Sequence, residues 1–426
     1  MMNPRMKRVL FALLCVTATA APAAGPLTLE DCLAEAAANN PDLAAARASV
    51  EKARYDRRAS YGDLLPQVSA SAEAGRNRTE TGTSGSNTTR DSASYGISAS
   101  QSLFTGGRNR AAVDQASANL QGAEADLAAA RAGLSYDVRK AFADLLYAQE
   151  QIELARTIAA RRAENRDLIQ LRYEGGRENK GAFLLTDAAA RDAQFGVSQA
   201  GRYLRVAQRQ LARVLGRSET ERIQVAGELR AAPVPSDADL AALGLETPEH
   251  RKAAAQVRAA QAGLASAKSQ YFPELSARAS ASRTGEDWMP EQDEWFLGLS
   301  LSFPFFQGGK NVMNVRGAGA EVRRTESNLK AADEEQVLAL EKALADYADA
   351  VEQTAVRAKY LEAQGVRAQV ARTQYASGLL SFEDWDRIEN DLISSQKDDL
   401  AGRRAAVLAE AAWDQAQGAS RLPDTR

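Results

Sequence analysis

The chain has 426 residues, with 53 Lys and Arg, 56 Asp and Glu and one His, which gives a formal net charge of -3 at pH 7. A mildly acidic chain argues against a nucleic-acid partner, because nucleic-acid binding requires a basic surface. One histidine and two cysteines argue against a histidine-rich metal site and a histidine-based catalytic triad. The composition therefore predicts a protein that is not an enzyme and that holds no metal and no cofactor.

Residues 1–24 have the pattern of a secretory signal peptide. Cations at 5–8 precede an apolar run at 9–16, and small residues follow it. This run is well short of the ~20 residues that a membrane-spanning helix needs. Cys15 would be the site of a lipid anchor, but Leu14 precedes it where a small residue is wanted. Cleavage without acylation is the favoured interpretation, and acylation remains the alternative.

A stretch without proline, from Leu103 to Tyr173, predicts one very long helix. Small and apolar residues within it alternate in steps of four and three, which is the seam of a coiled coil. Those residues are Leu134, Val138, Ala141, Leu145, Ala148, Ile152, Ala155 and Ala159. About sixty helical residues would reach roughly 90–100 Å, so this helix needs partners along its whole length. Alanine-rich segments at 27–60, 186–215, 247–270 and 382–417 predict further helices.

The same pattern recurs 202 residues later, which predicts an internal twofold repeat. Gly106 in LFTGGRNR corresponds to Gly308 in FFQGGKNV, and Tyr173 corresponds to Tyr375. Matching spacings in both halves indicate a duplicated unit. The predicted divisions are a first repeat at 25–216, a linker at 217–246, a second repeat at 247–418 and a C-terminal tail at 419–426.

Four short segments alternate apolar with small polar residues, which predicts four β-strands. They lie at 67–75, 92–103, 275–282 and 295–303, and the polar segment 77–91 is predicted to be a loop. An apolar face opposite a serine-rich face is typical of a barrel strand between lipid and water. A soluble antiparallel sheet has the same period and remains an alternative.

Aromatic residues near the strand ends favour the membrane interpretation. They are Tyr61, Tyr271, Phe272, Trp288, Trp295, Phe305 and Phe306. This placement suits the aromatic belts at bilayer interfaces. Four strands are too few to close a barrel, and open strand edges are costly in lipid. The protein is therefore expected to oligomerise.

Helix, strand and turn motifs follow one another in the same order in both halves. LLPQVSASA, SLFTGG and a Y-x-x-G turn mark this order, which resembles that of the TolC-like outer-membrane efflux protein family. The resemblance implies an α+β membrane protein in the bacterial outer membrane that extends into the periplasm. Three protomers would each give four strands to one twelve-stranded β-barrel. A tapering coiled-coil tunnel of twelve helices would continue it.

The resemblance also implies a function, which is the outer-membrane channel of a tripartite export system. Such a homotrimer in outer-membrane lipid would passively conduct what an inner-membrane pump delivers through a periplasmic adaptor. This chain cannot supply the energy, because GGKN lacks the upstream glycine and the following Ser or Thr of a phosphate loop. The sequence leaves the substrate and the type of pump open.

The second turn, YASGLLSFEDWD, supplies candidates for a pore constriction. By the resemblance, Tyr375 belongs to the Y-x-x-G motif, and Asp384 matches an aspartate that the family places on the pore-facing side. Arg387 stands where a second acidic residue is expected, and Glu383 or Asp386 could supply that charge. A ring of carboxylates would attract cations and set ion selectivity. Carboxylates in a first helical turn also suit the helix dipole without any such role.

Two positions depart from the family pattern. Leu380 stands where members have a basic residue, and Ala182 stands where the first turn would have its aspartate. The resemblance implies a salt-bridged lock at the constriction, and these residues do not match its pattern. The spare Gly181 indicates a differently shaped first turn.

The two turns also contain candidates for contact with the adaptor. By the resemblance, these are Gly176, Arg177, Gly378 and Leu379. Glycine allows close approach of another backbone. Ordinary turn chemistry explains the same glycines equally well.

Three other functions remain as alternatives. A conduit for type I protein secretion would use the same architecture. A trimeric adhesin with a barrel anchor would need its four strands together near the C-terminus, whereas here they form two distant pairs. A soluble periplasmic adaptor would not enter the outer membrane.

Overall fold

A computed structural model describes residues 25–81, 86–218, 223–236 and 238–423. The helices in these ranges are α1 Leu29–Asn39, α2 Pro41–Ser60, α3 Arg108–Glu174, α4 Lys180–Leu215, α5 Leu240–Glu246, α6 Pro248–Ser269, α7 Lys310–Ala376 and α8 Phe382–Ala416. The strands are β1 Gln67–Thr81, β2 Ser86–Phe104, β3 Glu274–Gly285 and β4 Gln292–Ser302. The predicted signal peptide at 1–24, with Cys15, lies outside the described residues.

The first helical segment is divided at Asn40. Its side chain caps α2, accepting a hydrogen bond of 3.0 Å from the N–H of Asp42. Pro41 follows at the first helical position, where its missing N–H costs nothing. Because proline cannot donate within a helix, α1 must end before it. The prediction of one helix over 27–60 was therefore wrong.

The four strands form one antiparallel sheet in the order β1-β2-β3-β4, which confirms the four predicted strands. The pairing of β2 with β3 joins the two halves of the chain. β1 and β2 continue to Thr81 and from Ser86, so the prediction of a loop over 77–91 was wrong for most of its length. Threonines favour extended backbone, and Arg76 makes a bidentate cross-strand pair with Asp91.

The sheet has one apolar face that is exposed and one face rich in serine. Directly opposed residues share a face, as do Ile97, Ala281 and Trp295. Large apolar side chains on the first face are at least 60% exposed, and they are Val68, Ile97, Trp295, Leu297, Leu299 and Leu301. On the other face, the hydroxyls of Ser69 and Ser98 lie 2.9 Å apart.

The two long helices, α3 and α7, each contain 67 residues and would extend about 100 Å. α3 packs against α2, α4, α6 and α8, whereas α7 packs against α6 and α8. The predicted seam of α3 is buried in the middle of the helix, where Val138, Leu145 and Ala148 are fully covered. No described helix is both long enough and apolar enough to cross a bilayer.

The segment between the halves packs against the middle of the long helices. Val225 forms a parallel β-bridge with Leu27 and is buried in the same core as Leu145. The hydroxyl of Tyr347 on α7 donates a hydrogen bond of 2.6 Å to the carbonyl of Ala232. The predicted linker at 217–246 thus contains α5 and takes part in the hydrophobic core.

A glycine in the left-handed conformation ends the return helix in each half. Gly216, with φ of 77°, lies against α1, where an added Cβ would come within 2.4 Å of the carbonyl oxygen of Asn39. Gly418, with φ of 71°, lies against the first turn of α6, where a Cβ would come within 2.2 Å of Pro248. Both the backbone conformation and the close approach require glycine.

Two helix faces and two strand edges form the open sides of the described chain. β1 and β4 are the edges of the sheet. α4 and α7 carry apolar side chains that are each at least 50% exposed. These are Leu184, Leu185, Phe195 and Val206 on α4, and Val356, Tyr360, Val366 and Val370 on α7.

Candidate functional site at the tips of the helical hairpins

The turn after α7 is a Schellman cap. The N–H of Leu379 donates to the carbonyl of Gln374 at 2.9 Å, and the N–H of Gly378 donates to that of Tyr375 at 3.1 Å. Gly378 has φ of 76°, a conformation that glycine adopts without strain. The Y-x-x-G motif of the second half is therefore a helix end.

The turn after α3 has the same geometry. The N–H of Arg177 donates to the carbonyl of Arg172 at 2.8 Å, and the N–H of Gly176 donates to that of Tyr173 at 3.0 Å. Gly176 has φ of 67°. Turn chemistry thus accounts for both glycines. Adaptor contact stays a prediction for all four candidates, which are Gly176, Arg177, Gly378 and Leu379.

Tyr375 is buried between an arginine and a tryptophan. Its ring stacks on that of Trp385 with centroids 4.5 Å apart, and the guanidinium of Arg172 lies 4.3 Å from its centroid. Its hydroxyl donates a hydrogen bond of 2.9 Å to Glu178, just before α4. Burial, followed by this bond to Glu178, raises the pKa of Tyr375 to about 12. The hydroxyl therefore remains protonated at neutral pH, and we call these four residues the tip clasp.

Arg172 also connects the ends of the two long helices. Its Nη2 group donates to the carbonyl oxygens of Tyr375 at 3.1 Å and Ala376 at 3.0 Å. The last carbonyls of a helix lack partners within the helix and carry its negative dipole end, so a cation is favourable there. The tip clasp consequently holds α3 and α7 together at the turns.

Asp384 takes part in the cap of α8. The hydroxyl of Ser381 accepts from its N–H at 3.1 Å and donates to its carboxylate at 3.0 Å. Arg387 donates to the same carboxylate at 2.7 Å. The side chain of Asp384 is 47% exposed and that of Arg387 is 66% exposed. Glu383 is exposed beside them. Three of the constriction candidates therefore reach solvent on the first two turns of α8.

Asp386 faces α3 instead. Its carboxylate accepts hydrogen bonds from Arg162 at 3.0 Å and from Asn390 at 2.9 Å. Arg162 is buried on α3, so this pair joins the first hairpin to α8. Asp386 and Tyr375 thus differ from the other three candidates, because both contact the first hairpin within the same chain.

Glu389 is a buried carboxylate that the sequence analysis missed. It is 1% exposed, accepts from Arg372 at 2.9 Å and lies 3.9 Å from Arg161. Glu389 Oε2, Trp385 Nε1 and Asn165 Nδ2 are buried without a hydrogen-bond partner in the described chain. Each such group costs about 1–3 kcal/mol. The tip is therefore packed less favourably than the apolar core.

One signal could have revealed this polar interface. Arg162 occupies the next seam position after Ala159 in the stepping of four and three. A charged residue at a seam position needs a partner of opposite charge on the facing helix. Arg172 and Glu178 carry no comparable signal, because they lie at a helix end and in a turn.

A family model described as outer membrane efflux protein matches residues 32–217 and 243–419. The chain belongs to this family. The match covers most of both halves and thus the whole arrangement of sheet, long helices and turns. Within the described ranges, no three side chains of His, Cys, Asp or Glu are grouped so that they could hold a metal ion.

This chain is similar in sequence to two relatives and in fold to one solved structure. It is 23% identical over 380 residues to probable outer membrane lipoprotein SilC of Salmonella typhimurium, covering 86% of this chain and 80% of SilC. It is 24% identical over 297 residues to the cobalt-zinc-cadmium resistance protein CzcC of Cupriavidus metallidurans, covering 70% and 67%. A crystal structure of CusC matches with a TM-score of 0.82 at 20% identity over 92% of both chains, which shows a shared fold.

As a member of this family, the protein is located in the bacterial outer membrane and extends into the periplasm. Its family consists of efflux channels rather than enzymes. The sheet and the tip clasp lie at opposite ends of α3, which begins just after β2 and ends at Glu174. About 100 Å of helix therefore separates the exposed apolar face from the candidate site.

Proposed function

We propose that this protein is the passive outer-membrane channel of a tripartite efflux system. One observation carries the proposal: a single chain joins a four-stranded sheet, apolar and exposed on one face, to helices about 100 Å long. Such a sheet suits lipid on one side and water on the other. The helices have the length needed to cross a wide aqueous space below it.

The open sides of the chain support a homotrimer. Open strand edges cannot persist in lipid, so β1 of one protomer would pair with β4 of the next and close a barrel of twelve strands. The exposed apolar faces of α4 and α7 would be covered by the neighbouring protomers in the same ring. The helices α3, α4, α7 and α8 of three protomers would then enclose a tunnel of twelve helices.

The tip clasp is the proposed gate. It holds α3 and α7 together at the turns, and buried polar atoms without a hydrogen-bond partner, in the clasp and beside it, make that packing less favourable. A periplasmic adaptor that binds the open arrangement more tightly would shift the population towards it. Glu383, Asp384 and Arg387 would set the charge at the opening, whereas Tyr375 and Asp386 would act through the contacts between helices.

The cargo would be chosen by the inner-membrane pump rather than by this chain. CzcC is named for resistance to cobalt, zinc and cadmium, so metal cations are one candidate class. A conduit for secreted polypeptides would need the same barrel but a wider opening at the tips.

Oligomer mass in detergent, measured together with single-channel conductance in a planar bilayer, tests the proposal. We expect a trimer with a small conductance. Val366→Asp, on the exposed apolar face of α7, should shift the protein towards monomers, because it places a charge in the protomer interface. Lys330→Glu alters an exposed position on the same helix and should leave the trimer intact. A monomer that never enters the bilayer would overturn the channel and favour the soluble adaptor.

A further inference from the structure

The exposed apolar face of the sheet ends in a group of arginines. Opposed residues on this face form rows across the strands, and Ile97, Ala281 and Trp295 make one of them. The next row towards the hairpin turns consists of Ala72, Tyr95, Arg283 and Asp293. Two rows further, Arg76 opposes Asp91, and Arg78 follows on the same face. The chemistry of this face therefore changes from apolar to charged within one row.

The change from apolar to charged residues lies at the height expected for the edge of the hydrocarbon layer of a bilayer. Eight residues separate Phe303 from Trp295, which is about 26 Å along a strand and about 20 Å of height at the tilt of about 40° that barrel strands have. The apolar band of a membrane barrel is about 25 Å tall. Arg283 lies one row beyond Trp295, at the end away from the helices. In an inserted barrel it would lie at the level of the outer lipid headgroups.

The arginines on this face have N–H donors that their ion pairs with aspartate do not use. Arg76 uses Nε and Nη2 for Asp91, at 2.5 and 2.8 Å, and Arg283 pairs with Asp293 through the same two groups. A guanidinium has five N–H donors and matches the geometry of a phosphate. Arg78 is exposed beyond them, so three arginines oppose two aspartates in these rows. An anion with more than one acceptor oxygen fits this arrangement.

A groove beside the arginines suits an acyl chain. It has a volume of about 600 Å³, and its apolar lining includes Ala70, Ile97, Ala281 and Trp295. Arg283 lies at one end together with the carboxylates of Asp293 and Glu294, so an anion would be held by the N–H groups of Arg283 that point away from Asp293. Apolar walls below a guanidinium correspond to the two parts of an anionic lipid, which are an apolar chain and a charged headgroup.

We propose that this groove binds a phosphorylated lipid of the outer leaflet. Arg283 and Arg76 lie two strands and two rows apart, so one headgroup phosphate would contact Arg283 and a second would contact Arg76. An acyl chain would lie along Ile97 and Trp295. The inference rests on the proposed function, because only a membrane-inserted sheet presents this face to lipid. It adds one defined lipid site for each protomer.

Native mass spectrometry of the detergent-purified protein tests this site. Lipid A with its phosphates is added as the probe, beside phosphatase-treated lipid A and inorganic phosphate alone. We expect up to one phosphorylated lipid per protomer and about tenfold lower retention in Arg76→Gln/Arg283→Gln. Arg278→Gln is the matched control, because Arg278 lies on β3 but opposes Ser100 on the serine-rich face. It should retain the lipid as the unaltered protein does.

Three results would overturn the lipid site. They are equal retention in the double variant and the Arg278→Gln control, equal retention of lipid A without phosphates, and complete displacement by inorganic phosphate. Should the double variant not assemble, Arg76→Gln alone provides the comparison, with a smaller expected loss. Oligomer mass and conductance are read from the same preparation. A conducting trimer without phosphate-dependent retention removes only this inference, whereas a monomer that never inserts removes the proposed channel.

Discussion

The hydroxyl of Tyr375 donates a hydrogen bond of 2.9 Å to Glu178, and this bond joins the last turn of α7 to the loop that precedes α4. The two residues are 197 positions apart in the chain. The bond is thus a direct contact between the two halves at the end farthest from the sheet. The consequences of removing it can be measured.

Tyr375→Phe should raise the single-channel conductance. The change keeps the ring between Arg172 and Trp385 but removes a hydrogen bond to a carboxylate, which contributes about 1.5–3 kcal/mol. Planar-bilayer recordings measure the effect. Tyr55→Phe is the control, because Tyr55 is an exposed tyrosine on α2, far from the tips. An unchanged conductance in Tyr375→Phe would remove the tip clasp from the gate.

Asp384 and Arg387 should affect ion selectivity in opposite directions. Arg387 donates to the Asp384 carboxylate at 2.7 Å, so Arg387→Gln exposes the negative charge and should increase cation preference. Asp384→Asn should reduce it. Reversal potentials in a salt gradient measure both, and the double variant should lie between them. If neither single change shifts the reversal potential, these side chains lie outside the conducting path.

The pair of Arg162 and Asp386 should respond unequally to the loss of each partner. Both side chains also bond to Asn390, so each keeps one partner when the other is removed. Asp386→Ala leaves a guanidinium that is 7% exposed without its carboxylate, whereas Arg162→Ala leaves a carboxylate that is 23% exposed. Breaking a buried pair costs about 3–5 kcal/mol, so Asp386→Ala should destabilise the tip more. Protease cleavage near the turns, compared for both variants and their combination, reports this difference. Faster cleavage in Arg162→Ala would contradict the expected order.

Cys32 should be unreactive in the folded protein. Burial, with the nearby carboxylates of Glu35 and Asp31, raises the pKa of this thiol to about 12. Because the thiolate is the nucleophile, a maleimide should not label it at pH 8 until the protein is unfolded. Ser49→Cys, at an exposed position on α2, should label in the native state. Rapid native labelling of Cys32 would show that α1 separates from the core.

The periodic parts of the fold were predictable from the sequence. Steps of four and three placed Val138 and Leu145 on a buried seam, and alternation placed Ile97 and Trp295 on one face of a sheet. Both patterns result from the geometry of single elements, so they can be recognised locally. The ends of β1 and β2 were missed because Thr-rich polar strands resemble a loop in composition.

The contacts at the tips were not predictable in the same way. Arg172, Glu178 and Trp385 follow no period, and Arg172 and Glu178 find their partner Tyr375 in the other half of the chain. The sequence showed that Tyr375 belongs to a repeated turn motif. It could not show that this tyrosine is buried, because burial there depends on how two hairpins meet.

Gly216 and Gly418 each join the return helix of one half to the first helices of the same half. Each half carries its own return helix, its own joint and its own pair of strands, and the segment at 217–246 connects them. We therefore expect that the polypeptide can be cut in this segment and expressed as two complementing fragments. Their reassembly through β2 and β3 would give a split protein, in which each fragment could carry a different label.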